Sequence, residues 1–171
     1  MRRVLVIGSG GAGKSTLARR IAARADLPLV HLDRLYWHPG WVPTPPREWE
    51  QTVAGLLAGE SWVIDGNYGG TMEMRLAAAD TVVFLDTPRV TCLIRVARRA
   101  LWRRGAPRDD IAPGCPENLA WEFVRWIWSY PASRRPGVLS MLGYFERRGG
   151  RAVVLRGGRQ VRDFISSLPA P

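Results

Sequence analysis

One lysine stands among the 25 basic residues of this 171-residue chain, and it is Lys14. It belongs to the run Gly8-Ser9-Gly10-Gly11-Ala12-Gly13-Lys14-Ser15, followed by Thr16, which meets the pattern G-x-x-x-x-G-K-[ST] at every fixed position. The chemistry that needs this spacing is the gripping of a polyphosphate. Backbone N–H groups must converge on phosphate oxygens, so residues without Cβ are needed where a side chain would block the approach. The N-terminus of the helix that follows adds partial positive charge. Lys14 is placed to reach the β- and γ-phosphates, and the Ser15 hydroxyl to reach Mg²⁺.

Two carboxylates are candidates to work beside that loop. Asp65 ends the apolar run Trp62-Val63-Ile64 and precedes Gly66, where it would hold Mg²⁺ with Ser15. Asp33 ends a second run, Leu27–Leu32; it is either the group that orients or deprotonates an acceptor hydroxyl, or a helix cap. Asp86 reads as the cap of the helix opened by Pro88.

Arginines supply the remaining charge. Arg95 and Arg99 are four apart and share a helix face. Arg103, Arg104 and Arg108 surround a Gly/Pro-rich stretch, and Arg134 and Arg135 return after a Trp-rich helix. Phosphoryl transfer spreads negative charge over several oxygens, and a lid over about 103–117 would close these cations on a triphosphate and exclude water. Tyr36, Trp37, His38 and Trp41 form either a stacking platform for a planar acceptor or a small satellite core. Trp121, Phe123, Trp126 and Trp128 read as packing residues.

The elements that must carry these groups alternate between strand and helix. Short apolar runs at 3–7, 27–32, 61–65, 81–86 and 152–155 read as strands. Helical patterns follow at 14–25, 47–58, 88–104, 116–128 and 161–168. Strands that alternate with helices imply an α/β domain whose parallel sheet is covered on both faces. One domain spans 1–171, with an acceptor-side insert at about 33–60.

Bulk properties exclude other classes. At 46% hydrophobic and 23% charged residues the chain is not disordered, and its apolar runs are far too short to span a bilayer. Two cysteines support neither a disulfide framework nor a four-cysteine zinc site. No leader pattern opens the chain, so a cytoplasmic protein is expected. Residues 1–88 carry nine basic and nine acidic side chains, whereas 89–171 carry sixteen and six. That asymmetry points to a polyanionic partner, nucleotide phosphates or nucleic acid, although no nucleic-acid-binding motif is present.

The strand–GSGGAGKST–helix unit, WVIDG and FLDTPRVTCLIRVARR together resemble the nucleoside-kinase branch of P-loop proteins, adenylate kinase above all. HLDRLYW, WVIDGNYGGTMEMRL and GCPENLAWEFVRWIWSYP resemble the bacterial DNA topology modulation proteins over most of 3–165. The resemblance implies a P-loop three-layer sandwich whose five-stranded parallel sheet has the order 2-3-1-4-5. It also implies ATP and Mg²⁺ at the strand ends. Arg95 would stack on adenine, Arg99 would contact phosphate, Arg108 would be a lid arginine, and Gly157 would lie at the base edge. The acceptor side departs from adenylate kinase. HLDRLYWHPGW replaces its Thr-Gly-Asp segment, and Asp65-Gly66-Asn67-Tyr68 replaces its DG-F-P-R motif, with Arg75 the nearest arginine. Asp33, Arg34, Tyr36, Trp37, Gly66, Asn67 and Arg75 are therefore the candidate acceptor residues. Lys14, Asp33, Arg99, Arg108, Arg134 and Arg135 are the candidate catalytic ones. The expected activity is an ATP/Mg²⁺-dependent kinase acting on a nucleoside monophosphate. The alternatives are a kinase of a non-nucleotide hydroxyl metabolite and an ATP-binding regulator of DNA topology.

Overall fold

The computed structural model describes residues 1–102, 109–116 and 120–168. The first half runs β1 (Arg3–Gly8), α1 (Lys14–Ala25), β2 (Leu29–His31), α2 (Leu32–Tyr36), β3 (Trp37–His38), β4 (Val42–Pro43) and α3 (Pro46–Leu57). It continues through β5 (Trp62–Asp65), a 3₁₀ turn at Gly69–Thr71, α4 (Met72–Ala78), β6 (Thr81–Leu85) and α5 (Arg89–Trp102). The last part holds α6 (Trp121–Ser133), α7 (Arg135–Arg147), β7 (Arg151–Leu155) and α8 (Gly158–Ser166).

Five strands form one parallel sheet in the order β2-β5-β1-β6-β7, and β3 and β4 form a separate two-residue antiparallel hairpin. With the hairpin set aside, this is the expected order 2-3-1-4-5. The β1 register sets Val4 opposite Val63 of β5 and Thr81 of β6. Side chains alternate across a strand, so β1 feeds two cores. Val4 and Val6 pack with Leu17, Ile21, Val96, Ile127 and Phe164 on one face. Leu5 and Ile7 pack with Leu32, Trp49, Val53, Phe84, Leu142 and Phe145 on the other. Near-continuous apolar strands are what a sheet buried on both faces demands.

Several elements differ from the sequence reading, each for a local reason. The second strand stops at His31, and Leu32 turns inward to open α2, so Asp33 lies in the first turn of a short helix rather than at a strand end. Helix α4 was concealed by two preceding glycines, and α7 by Gly137 and Gly143 within it. Leu142 and Phe145, three apart, supply its buried stripe. Asp86 does not cap α5. Its carboxylate accepts two bonds from Arg135, Nε at 2.8 Å and Nη2 at 2.9 Å, with Arg156 Nε at 3.4 Å. Phe123 and Trp126 face inward, but Trp121 and Trp128 are exposed, against the expectation that all four pack on the sheet.

The expected lid is described over residues 109–116 only; Arg103, Arg104 and Arg108 lie outside the described residues. The described part rests on the acceptor-side insert. Gly40 N–H donates to Gly114 O (2.9 Å), Trp41 Nε1 to Pro116 O (3.1 Å) and Arg34 Nη1 to Asp109 O (3.3 Å). Arg19 lies 3.7 Å from Asp110 on the α1 side. Among the described residues no helix is long and apolar enough to cross a membrane.

Candidate active site

Three segments meet at the carboxyl edge of the sheet. The order β2-β5-β1 brings the ends of these strands side by side, with Asp33 just beyond β2, Asp65 ending β5 and the phosphate loop leaving β1. Ligands of open parallel sheets bind at this edge, where strand order reverses.

The loop has the backbone its glycines allow. Gly11 (φ 74°) and Gly13 (φ 101°) are left-handed, and a Cβ on Gly11 would stand 2.5 Å from Cys92 O. Gly13 starts α1 without any side-chain cap, which leaves the first N–H groups of the helix open to an anion. A Cβ on Gly13 would meet only Arg95 Nη1, at 3.5 Å. Arg95 Nη1 donates to Ala12 O at 2.9 Å, and Thr87 Oγ1 donates to the same oxygen at 3.3 Å. Lys14 Nζ donates to Ser9 O at 3.2 Å, folded back over the loop. An uncapped helix start, a glycine-rich loop and one lysine fit a triphosphate.

Asp65 is buried, and its Oδ1 lies 2.6 Å from His31 Nδ1. That contact fixes one carboxylate oxygen and leaves the other as a candidate metal ligand. No group of three or more His, Cys, Asp or Glu able to hold a metal occurs among the described residues. Mg²⁺ takes one or two carboxylates and completes its shell with phosphate and water, so Asp65 with the Ser15 hydroxyl is a sufficient protein donor set for it.

The loop after β5 joins the two halves of the site. Asn67 Nδ2 donates to Gly8 O at 2.8 Å and its Oδ1 accepts from Gly8 N at 3.1 Å, a two-way clasp on the first residue of the phosphate loop. Next along the chain, the Tyr68 hydroxyl donates to Asp33 Oδ1 at 2.5 Å. Burial, reinforced by the Asp33 charge, pushes the Tyr68 phenol well above the ordinary tyrosine range. Tyr68 is held at φ 33°, and its ring packs on Tyr36 (4.5 Å between centroids) and Trp49 (5.2 Å). Trp37 meets Tyr36 edge-on at 4.8 Å and Trp41 at 5.5 Å. These aromatics form a single wall beside Asp33, with Trp49 as its buried base.

Arg75 is not an acceptor contact. It is fully buried, and its guanidinium donates to Gly66 O (3.0 Å), Tyr68 O (2.7 Å), Thr71 O (3.3 Å) and Asn67 O. Burial lowers its pKa to about 10. It builds the loop that carries Asn67 and Tyr68. Arg135 is likewise engaged, by Asp86, and hydrogen bonding from Arg135 holds the Asp86 carboxyl below its ordinary value. Arg134 is exposed at the junction of α6 and α7, Gly157 is exposed before α8, and Arg99 is half-buried on α5.

Sequence reasoning missed Tyr68 and His31. The signal for His31 was its place directly before Leu32-Asp33 at a strand end; for Tyr68 it was the position after Asp65-Gly66-Asn67. No family model and no curated protein sequence matches the chain. Solved structures do. A sugar kinase from Janibacter sp. is 15% identical, with 97% of this chain and 93% of that one covered and a TM-score of 0.56. A shikimate kinase from Acinetobacter baumannii in complex with shikimate is 18% identical, with coverage of 97% and 89% and a TM-score of 0.56. A gluconokinase from Sinorhizobium meliloti is 14% identical, with coverage of 96% and 87% and a TM-score of 0.54. These likenesses do not extend to the narrower resemblance to adenylate kinases or topology modulation proteins. The chain has the α/β fold of P-loop kinases, with a five-stranded parallel sheet flanked by helices.

Proposed function

We propose that the protein transfers the γ-phosphoryl group of ATP, with Mg²⁺, to a hydroxyl group of a small non-nucleotide metabolite. The observation that carries this reading is the line of groups along the sheet edge. The phosphate loop, the Asp65 carboxylate and the Asp33 carboxylate follow the strand order β1, β5, β2, which matches donor, metal and acceptor. The structural neighbours lend support, because their names describe kinases of a sugar, of shikimate and of gluconate. That set favours a hydroxyl metabolite over the nucleoside monophosphate expected from adenylate kinase, and Arg75 is too buried to clamp a monophosphate.

In this reading the α1 N-terminus and Lys14 bind the triphosphate, and Lys14 exchanges Ser9 O for phosphate oxygen. Asp65 and Ser15 hold Mg²⁺, which supplies charge neutralisation to the phosphates. Asp33 accepts the hydroxyl proton of the acceptor, and the Tyr68 hydroxyl orients its carboxylate for that task. The aromatic wall of Tyr36, Trp37 and Trp41 covers the acceptor and excludes water. Arg95 sits at the loop beside the adenine position, and Arg99 lies one turn further along α5 toward phosphate.

The test is ADP release from ATP/Mg²⁺ across polyols, sugars, sugar acids, hydroxy-carboxylates and nucleoside monophosphates. Acceptor-dependent ADP with one hydroxyl compound, abolished in Lys14→Ala and lowered about 100-fold or more in Asp33→Asn, is the expected result. A nucleoside monophosphate as the best acceptor would return the assignment to adenylate-kinase chemistry. ATP hydrolysis stimulated only by duplex DNA would sink the kinase reading altogether.

A further inference from the structure

The Asp65 side chain is 5% exposed, and among the described residues its one hydrogen-bond donor is His31, with no lysine or arginine paired to it. An ionised carboxylate has about four lone-pair sites, and burying it is costly unless several donors or a cation answer it. Asp86 shows the ordinary answer in this chain, two bonds from Arg135 with Arg156 close by. Asp65 has a single imidazole instead, His31 Nδ1 to Oδ1 at 2.6 Å, itself only 10% exposed.

The strands put that imidazole in place. His31 and Asp65 are register partners in the parallel pair β2–β5. Each lies two residues past an apolar one, Leu29 and Val63, and so keeps that residue's face of the sheet. Leu29 and Val63 pack in the core with Leu17 and Ile21 of α1. His31 and Asp65 therefore extend the α1 face to the carboxyl edge, where α1 itself opens with Lys14 and Ser15. The two segments also lie flush, because a Cβ on Gly66 would stand 2.9 Å from Leu32 Cβ. Just beyond, the arrangement repeats in reverse, as Tyr68 of the β5 segment donates to Asp33 of the β2 segment. Each strand end thus supplies one carboxylate and the group that holds the other's.

We propose that His31 is a positioning residue for the metal carboxylate. Its Nδ1–H pins Asp65 Oδ1 and leaves Oδ2 to take up the Mg²⁺ that ATP brings. This rests on the reading above, in which Asp65 and Ser15 hold that ion. Without the imidazole the carboxylate can turn about χ2, and the ion loses a preset ligand. Loss of such an outer partner lowers metal affinity about 10–100-fold. A histidine that merely filled space beside β5 would affect nucleotide binding whether or not the ion is present.

Binding of a methylanthraniloyl ATP analogue to the full chain, in Mg²⁺ and again in EDTA, isolates the ion's share of the affinity. His31→Leu and His31→Gln should each raise the Mg²⁺ concentration for half-maximal enhancement about 10-fold or more, with affinity in EDTA unchanged. His31→Asn, whose amide nitrogen stands near the place of Nδ1, should recover most of that loss; the Gln amide falls near the place of Nε2 and should not. In an Asp65→Asn background, His31→Leu should add nothing further. A wild-type chain that fails to bind the analogue, or binds it equally with and without Mg²⁺, removes the metal reading and this proposal with it. A normal Mg²⁺ response in both His31→Leu and His31→Gln overturns the proposal alone. So does a loss that is equal in the Asn and Gln variants, or one already present in EDTA. Should His31→Leu fail to fold, the comparison of Asn with Gln decides.

Discussion

Replacing Arg75 by leucine separates a structural arginine from a substrate-binding one. In the folded chain its guanidinium satisfies four carbonyls, those of Gly66, Asn67, Tyr68 and Thr71. A buried acceptor left without a partner costs about 1–3 kcal/mol, so four of them cost about 6 kcal/mol at the lower half of that range. Removing the charge also removes the penalty for burying it. The fall from 12.5 to about 10 converts, at about 1.4 kcal/mol per pH unit, to about 3 kcal/mol recovered. The net expectation is a loss of about 3 kcal/mol, or about 6–12 °C in melting temperature for a chain of this length. Urea unfolding followed by tryptophan fluorescence measures it, with an unchanged m-value as the check on two-state behaviour. Because the loop from Gly66 to Thr71 also holds Gly8 and Asp33, binding of a fluorescent ATP analogue should weaken in parallel with stability. Arg75→Lys should recover only part of the loss, since one ammonium cannot reach four carbonyls in a fixed fork. If Arg75→Leu kept wild-type stability within about 0.5 kcal/mol but raised the KM of the acceptor alone, the reasoning would be refuted and Arg75 would return to the acceptor site.

Three further perturbations test the surroundings. The Tyr68 phenol is raised by burial and by Asp33, and Tyr130 is raised to about 12 by burial, so both keep their protons in the folded state when the unfolded chain loses them. Their stabilisation is whole below about pH 10 and is lost as pH rises past it; Tyr68→Phe should flatten that alkaline limb by about 1.4 kcal/mol per pH unit. Asp86 shifts the other way, because hydrogen bonding from Arg135 favours its charged form. Its contribution is present above about pH 4 and lost on acidification, so Asp86→Asn should remove part of the acid limb measured by urea midpoints. Gly10→Ala puts a methyl 2.6 Å from Phe123 Cζ. A loss of about 1–3 kcal/mol is expected, mostly relieved in the double variant with Phe123→Leu; additive effects in that cycle would mean the ring is not the obstacle.

What was legible in the chain is what is local. The phosphate loop is eight consecutive residues, and Asp65 follows an apolar run, so type and spacing suffice for both. The sheet strands could be found from their runs, because a strand buried on both faces leaves few polar residues to blur its ends. Contacts between distant segments left no such mark. Asn67 clasps Gly8 across 59 positions, and Tyr68 reaches Asp33 across 35. Arg75 did leave a trace, an arginine between Met74 and Leu76 in a short helix whose other charged residue is Glu73. It was read by its charge rather than by its surroundings. The arginines at 134 and 135 show the same limit: they are adjacent in sequence, yet one is exposed and the other is tied to Asp86.

The central position of β1 also governs when the molecule can be assembled. This strand leaves the ribosome well before its partners on either side, which begin at Trp62 and Thr81. At synthesis rates of about 5–20 residues per second, Val4 waits about 3–12 s for Val63, the residue it pairs with 59 positions later. All four pairings in the five-stranded sheet are parallel and need a crossover between partners, so no hairpin can nucleate the sheet early. The nascent phosphate loop has no clasp until Asn67 emerges. A fragment ending before β5 therefore contains the whole nucleotide motif and none of the means to shape it.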